Sequence, residues 1–177
     1  MYAWERRRRL IVKTLLYVLT AFLALILQIS LPPLSGSRPQ TLIIAAAMIA
    51  FFEGPKFGGA FGFVCGLLCD WLAVHTISYY LTMLTLLCVV LGWFVERVMR
   101  RNLFSALAAS LAVYAVTQGL FLTFHLWLAG IADPAGFLPV AAPEMIFSLA
   151  LAPVFYIVCR AVRRRLSDEK RSVYGRN

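Results

Sequence analysis

The sequence predicts an all-α integral membrane protein built as a six-transmembrane-helix bundle, and three observations lead there. Of its 177 residues, 62% are hydrophobic and 14% charged, whereas soluble domains carry about 45–50% apolar and about 25% charged residues. Apolar runs of spanning or near-spanning length fill almost the whole chain. The basic residues gather beside the ends of alternate runs, where Lys and Arg fix membrane orientation. A span takes about 20 apolar residues, so six spans and short loops leave no length for a separate soluble domain. The predicted organisation is a basic cytoplasmic amino-terminal stretch over 1–9, a membrane domain over 10–159 and a basic cytoplasmic tail over 160–177.

The first span, 10–31, follows WERRRR. It is too long for a signal-peptide core and has no Ala-x-Ala site before PPLSGS, so it is expected to stay as an anchor. The second, 41–54, is short: the apolar stretch TLIIAAAMIAFF rises only about 18 Å against a hydrocarbon core of about 30 Å. Such a helix must recruit flanking residues, tilt, or stop part-way inside protein. The third and fourth spans, 57–74 and 79–95, are separated by HTIS and form a tight hairpin. The fifth covers 103–129 and the sixth 137–159, with the turn-rich GIADPAG between them. Beyond the sixth, RAVRRRLSDEKRSVYGRN is expected to continue the helix briefly and then fray, because it is too polar to bury much surface.

With the amino terminus inside, 16 of the 17 basic residues fall on the cytoplasmic side and only Arg38 falls outside. This is the positive-inside pattern, and it predicts an even number of spans with both termini in the cytoplasm of a bacterial-type inner membrane. The net charge of +9 therefore points to anionic lipid headgroups and not to nucleic acid, since no basic, aromatic surface lies outside the spans.

Polar groups at membrane depth each need a reason. Gly58, Gly62, Gly66 and Asp70 recur every four residues and form one stripe on the third helix. Glycines so spaced admit a neighbouring helix closely, which places Asp70 against protein. Asp70 either hydrogen-bonds a neighbouring helix or turn, or lines a pocket or partner surface. Glu53, Gly54 and Pro55 form the cytoplasmic turn between the second and third helices, for which a structural role suffices, with a pairing of Glu53 to Lys56 left open. Gly92 lies off the stripe and is expected to accept Leu more readily than Gly62 or Gly66, and Asp70→Asn is expected to fold normally. Asp70, Glu53, Gly58, Gly62 and Gly66 are the candidate partner- or pocket-facing residues.

Neither metal nor catalytic chemistry is predicted. Cys65, Cys69, Cys88 and Cys159 all lie in apolar runs without a CxxC or Cys/His cluster, and read as small buried hydrophobes. His75, His125, Asp133 and Glu144 sit near outer helix ends without ligand spacing or a nucleophile beside them, and the two histidines read as hydrated interface groups. Trp4, Trp71, Trp93 and Trp127 fall near span ends, where aromatic belts anchor helices. No cofactor and no enzymatic activity are expected.

The segment FFEGPKFGGAFGFVCGLLCDWLA resembles the rod shape-determining MreD family, whose central segment reads roughly Gly-x-x-x-Gly-Phe-x-x-Gly-Leu-Leu-x-Asp. The match falls on Gly58, Gly62, Phe63, Gly66, Leu67, Leu68 and Asp70, and covers about fifty residues by motif and the rest by length and hydropathy. The chain departs where family members continue with a Gly-rich turn, reading WLAVHTISYY instead. The resemblance implies a non-enzymatic scaffold of the cell-elongation machinery. It would bind a bitopic MreC-like partner and bear on the glycosyltransferase and transpeptidase of lateral peptidoglycan synthesis and rod shape. The implied fold is similar to the substrate-binding subunits of energy-coupling-factor vitamin transporters, which supply the alternative function. Those subunits dock through an Ala-x-x-x-Ala face in the first span. Here Ala21 and Ala24 lack that spacing, while Ala46 and Ala50 in the second span have it.

Overall fold

In the computed structural model, residues 2–32, 39–73, 78–99, 102–129 and 138–174 are described. They form six helices and no strands: α1 (Tyr2–Ser30), α2 (Thr41–Glu53), α3 (Pro55–Ala73), α4 (Tyr79–Arg97), α5 (Leu103–Ala129) and α6 (Leu138–Tyr174). Four of them carry segments long and apolar enough to cross a membrane: Leu10–Ser30, Tyr79–Arg97, Leu103–Phe124 and Ala142–Arg164. The protein is thus an all-helical, multi-pass membrane protein in composition and length.

The short helix is the centre of the bundle. All twelve residues from Thr41 to Phe52 are buried, and α2 packs against each of the other five helices. At 13 residues α2 is about 20 Å long. Because its sides meet protein and not lipid, its length has no hydrocarbon thickness to match. Apolar side chains gain little from leaving lipid for protein, so small residues that let backbones approach must hold such a bundle. Ala45, Ala46, Ala47 and Ala50, all essentially unexposed, serve that purpose on α2.

Both ends of α2 are tied down. At its start the Thr41 hydroxyl donates to the Ala24 carbonyl at 2.6 Å and the Leu42 N–H donates to Gln28 Oε1 at 3.1 Å, so α1 takes up a donor that the first turn leaves over. At its end Gly54 has φ +84° and donates its N–H to the Ala50 carbonyl at 3.0 Å. Only glycine adopts that backbone without strain. Pro55 then opens α3 with the fixed φ that suits a first helical position, so one residue turns the chain between two helices.

The boundaries differ from expectation chiefly at the tail. The helix expected to fray soon after Cys159 continues to Tyr174, making α6 37 residues long with Pro143 and Pro153 inside it. Intrahelical hydrogen bonding and good helix formers such as Arg, Leu, Glu and Lys favour the continued helix.

Candidate functional site

The glycine stripe faces inward, and its neighbours belong to this chain. A methyl on Gly58 would lie 2.7 Å from Ala50 Cβ on α2 and 3.1 Å from the Cys88 carbonyl on α4. On Gly62 it would meet Cys88 Cβ and the Leu84 carbonyl, each at 2.9 Å, and on Gly66 the Leu81 Cα and Tyr80 carbonyl, each at 2.7 Å. The stripe is the seam where α3 receives α2 and α4. The same seam continues at Gly92, where a methyl would come within 2.5 Å of the Gly54 carbonyl carbon and the Pro55 nitrogen. The expectation that Gly92 accepts Leu more readily is therefore reversed. Gly92 lies off the α3 stripe in sequence but directly under the α2–α3 turn in space.

Asp70 ends the stripe, 7% exposed. Its Oδ1 accepts the Tyr80 N–H and its Oδ2 the Leu81 N–H, both at 2.9 Å. One carboxylate thus takes two of the donors that the first turn of α4 cannot use internally, at the positive end of the helix dipole. Gly66 lets α4 come near enough for this. The carboxylate is engaged in helix capping, and this changes one expectation. Asp70→Asn replaces an acceptor by an N–H₂ group aimed at an N–H, so it should destabilise the fold by about 1–3 kcal/mol, read as a lowered thermal midpoint in detergent. A midpoint equal to wild type would mean that the cap is dispensable.

Glu53 is buried at the other end of α2, its side chain 8% exposed. It pairs with Lys13 of α1 and not with the adjacent, exposed Lys56, and it accepts the Tyr17 hydroxyl at 2.7 Å. Lys13 also lies over the Phe57 ring at 4.6 Å. Antiparallel packing of α1 on α2 brings Lys13 and Tyr17, one turn apart, to the same carboxylate.

At the opposite end of the bundle a second polar group converges from α4, α5, α6 and the residue before α2. The Gln40 N–H donates to Ser148 Oγ at 3.1 Å and Gln40 Nε2 to the Tyr80 hydroxyl at 3.3 Å. Gln118 Nε2 donates to Glu144 Oε1 at 3.3 Å and reaches the Tyr114 hydroxyl at 3.5 Å. Tyr80 stacks on Phe121 with centroids 5.7 Å apart and planes at 24°. Glu144 is thus buried in a hydrogen-bonded group. His75 and Asp133 lie outside the described residues, as does the side chain of His125. The four cysteines are buried and in no disulfide.

Sequence reading passed over this cluster because its members come from separate helices. The signal was two polar pairs one turn apart inside apolar helices, Tyr114 with Gln118 and Glu144 with Ser148.

The outer surface holds one further feature. Ala108, Ala112, Ala115 and Gly119 of α5 are all exposed and fall on one face, and nothing lies within 4 Å of a methyl built on Gly119. Ala46 and Ala50, by contrast, are completely buried in α2 and present no surface for docking. Trp71 and Trp93 are exposed, as belt residues would be, with Arg97 over the Trp93 ring at 4.7 Å. No protein-family model, curated protein or solved structure matches the chain.

Proposed function

We propose that this protein is a non-enzymatic membrane scaffold that crosses the inner membrane six times, keeps both termini in the cytoplasm, and binds the helix of a bitopic partner. The observation that carries the reading is the open face of α5. Small residues at helical spacing mark where membrane helices meet. On α3 that surface is already filled by α2 and α4, while on α5 it is free. The resemblance of the Gly58–Asp70 segment to the MreD family supplies the kind of partner, an MreC-like protein, and through it the machinery of lateral peptidoglycan synthesis. The placement of 16 of 17 basic residues at one end of a six-span arrangement supports the orientation.

The test is purification of the tagged protein in gentle detergent, with Gly119→Leu beside wild type. Because, among the described residues, nothing lies within 4 Å of a methyl at position 119, the variant should accumulate normally, lose the copurifying bitopic protein, and turn rod-shaped cells round. Unchanged copurification would remove the α5 face from the proposal. Normal rods with a defect in vitamin uptake on deletion of the gene would favour a transporter subunit instead.

A further inference from the structure

Where α6 leaves the membrane, a half-buried guanidinium lacks an opposite charge. The spanning segment of α6 closes at Arg164, and its end carries Arg160, Arg163 and Arg164 at i, i+3 and i+4, on one side of the helix. Arg163 is half-buried and close enough to the Tyr17 phenol of α1 to act on it electrostatically. A charge drawn even partly out of water is costly unless an opposite charge meets it. Among the described side chains none pairs with Arg163, because Glu53, the buried acid at this end of the bundle, is taken by Lys13. The neighbouring cations have no such need. Lys13 has its carboxylate, Arg8 and Arg97 lie over the Trp4 and Trp93 rings, and Arg7 and Lys56 are exposed to solvation.

We infer that this end of α6 binds one anionic phospholipid, with its phosphate among the three guanidiniums and an acyl chain laid along Val154 and Ile157. Arginine presents a planar fork of N–H donors that meets phosphate oxygens in pairs. Arg160 and Arg164 are exposed, and Ala161 between them is exposed and carries only a methyl. Arg160 lies over the Tyr156 ring at 5.9 Å, and that ring packs on Phe52 at 5.3 Å. Contact through its face holds the guanidinium while its in-plane donors stay available. Toward the membrane centre the same side continues with Ile157 and Val154, 65% and 46% exposed, about 5 and 9 Å along the helix from Arg160. Basic groups that end in an apolar face suit a lipid better than a soluble anion, and clusters placed where a span meets the headgroups recognise anionic lipids. A lipid phosphate there would supply the charge that Arg163 lacks and brace α6 where it packs on α1. The site depends neither on which side of the membrane this end faces nor on the open α5 face.

The probes are dioleoylphosphatidylglycerol, dioleoylphosphatidylcholine and inorganic phosphate, each added to delipidated full-length protein in neutral detergent. Bound lipid is counted by native mass spectrometry, and the thermal midpoint is followed in parallel. Phosphatidylglycerol should bind saturably, raise the midpoint, and be preferred to phosphatidylcholine by on the order of tenfold. Arg160→Gln with Arg164→Gln, both at exposed positions, should fold normally and weaken binding by roughly tenfold or more. Arg163→Gln should weaken it by roughly fivefold and leave the lipid-free midpoint at or above wild type, since it removes an unpaired charge. Replacing all three arginines by lysine keeps the charge and loses the fork, and should also weaken binding several-fold. Arg7→Gln with Arg8→Gln, which removes as much charge from α1 at the same end, should change it by less than about twofold. Equal binding of the two lipids, displacement of phosphatidylglycerol by millimolar phosphate, or wild-type binding in the lysine variant would each overturn the assignment. So would an equal loss in the Arg7, Arg8 variant, which marks a diffuse field, or a lowered lipid-free midpoint in Arg163→Gln, which marks a partner within the chain.

Discussion

Gly92→Ala is expected to destabilise the protein by about 1–3 kcal/mol, and Gly92→Leu to prevent its accumulation. The added carbon would sit 2.5 Å from the Gly54 carbonyl carbon and the Pro55 nitrogen and 2.7 Å from Pro55 Cα. All three are backbone atoms, so no side-chain rotation relieves the contact. The turn cannot retreat easily, because Gly54 sits at φ +84° with its N–H on Ala50, and Gly58 donates to the Gly54 carbonyl at 2.9 Å. Displacing it would pull the end of α2 out of the core. Gly66→Ala is expected to do comparable harm by a different route, since Leu81 Cα and the Tyr80 carbonyl at 2.7 Å are the backbone that Asp70 caps. Gly119→Ala is the control. With open space around it, alanine should be neutral or stabilising by up to about 1 kcal/mol through helix propensity. Yield and thermal midpoint in detergent separate the three, and equal behaviour of Gly92→Ala and Gly119→Ala would refute the seam.

Helix positions were largely legible, because Gly, Pro and polar turns punctuate apolar runs. The run read over 103–129 is helical throughout as α5, with Leu103–Phe124 its segment of spanning length, and the helix read over 41–54 ends one residue sooner, where Gly54 turns the chain. That α3 carries a close-packing stripe was legible from spacing alone. What fills the stripe was not, since Ala50, Leu84 and Cys88 carry no sequence mark of facing Gly58 and Gly62. Gly92 was misread for the same reason: one sequence shows periodicity within a helix, not the backbone that crosses it. For Glu53 the sequence offered Lys56 as a pairing left open, yet Lys56 is exposed while α1 carries Lys13 past the carboxylate. That five neighbours enclose the short second helix was not legible, because hydropathy cannot separate a helix buried in protein from one immersed in lipid.

Lys13→Met is expected to be among the most damaging single changes in the chain, costing about 3–5 kcal/mol. The loss is not the attraction itself but the charge left behind. Glu53 has a side chain 8% exposed, and the Tyr17 phenol at 2.7 Å is the one hydrogen bond to its carboxylate that would remain among the described residues. Glu53→Leu should cost less, because Lys13 is 22% exposed and its flexible stem can carry the ammonium to water or headgroups. Removing both charges, as Lys13→Met with Glu53→Leu, should recover most of the stability lost in Lys13→Met alone, since a buried pair replaced by apolar groups of similar volume is often near neutral. The thermal midpoints of the four proteins in detergent form a double-mutant cycle whose coupling term reports the pair. Simple additivity of the two single changes would show that α1 is held to α2 by the Tyr17 hydrogen bond and packing without an ion pair.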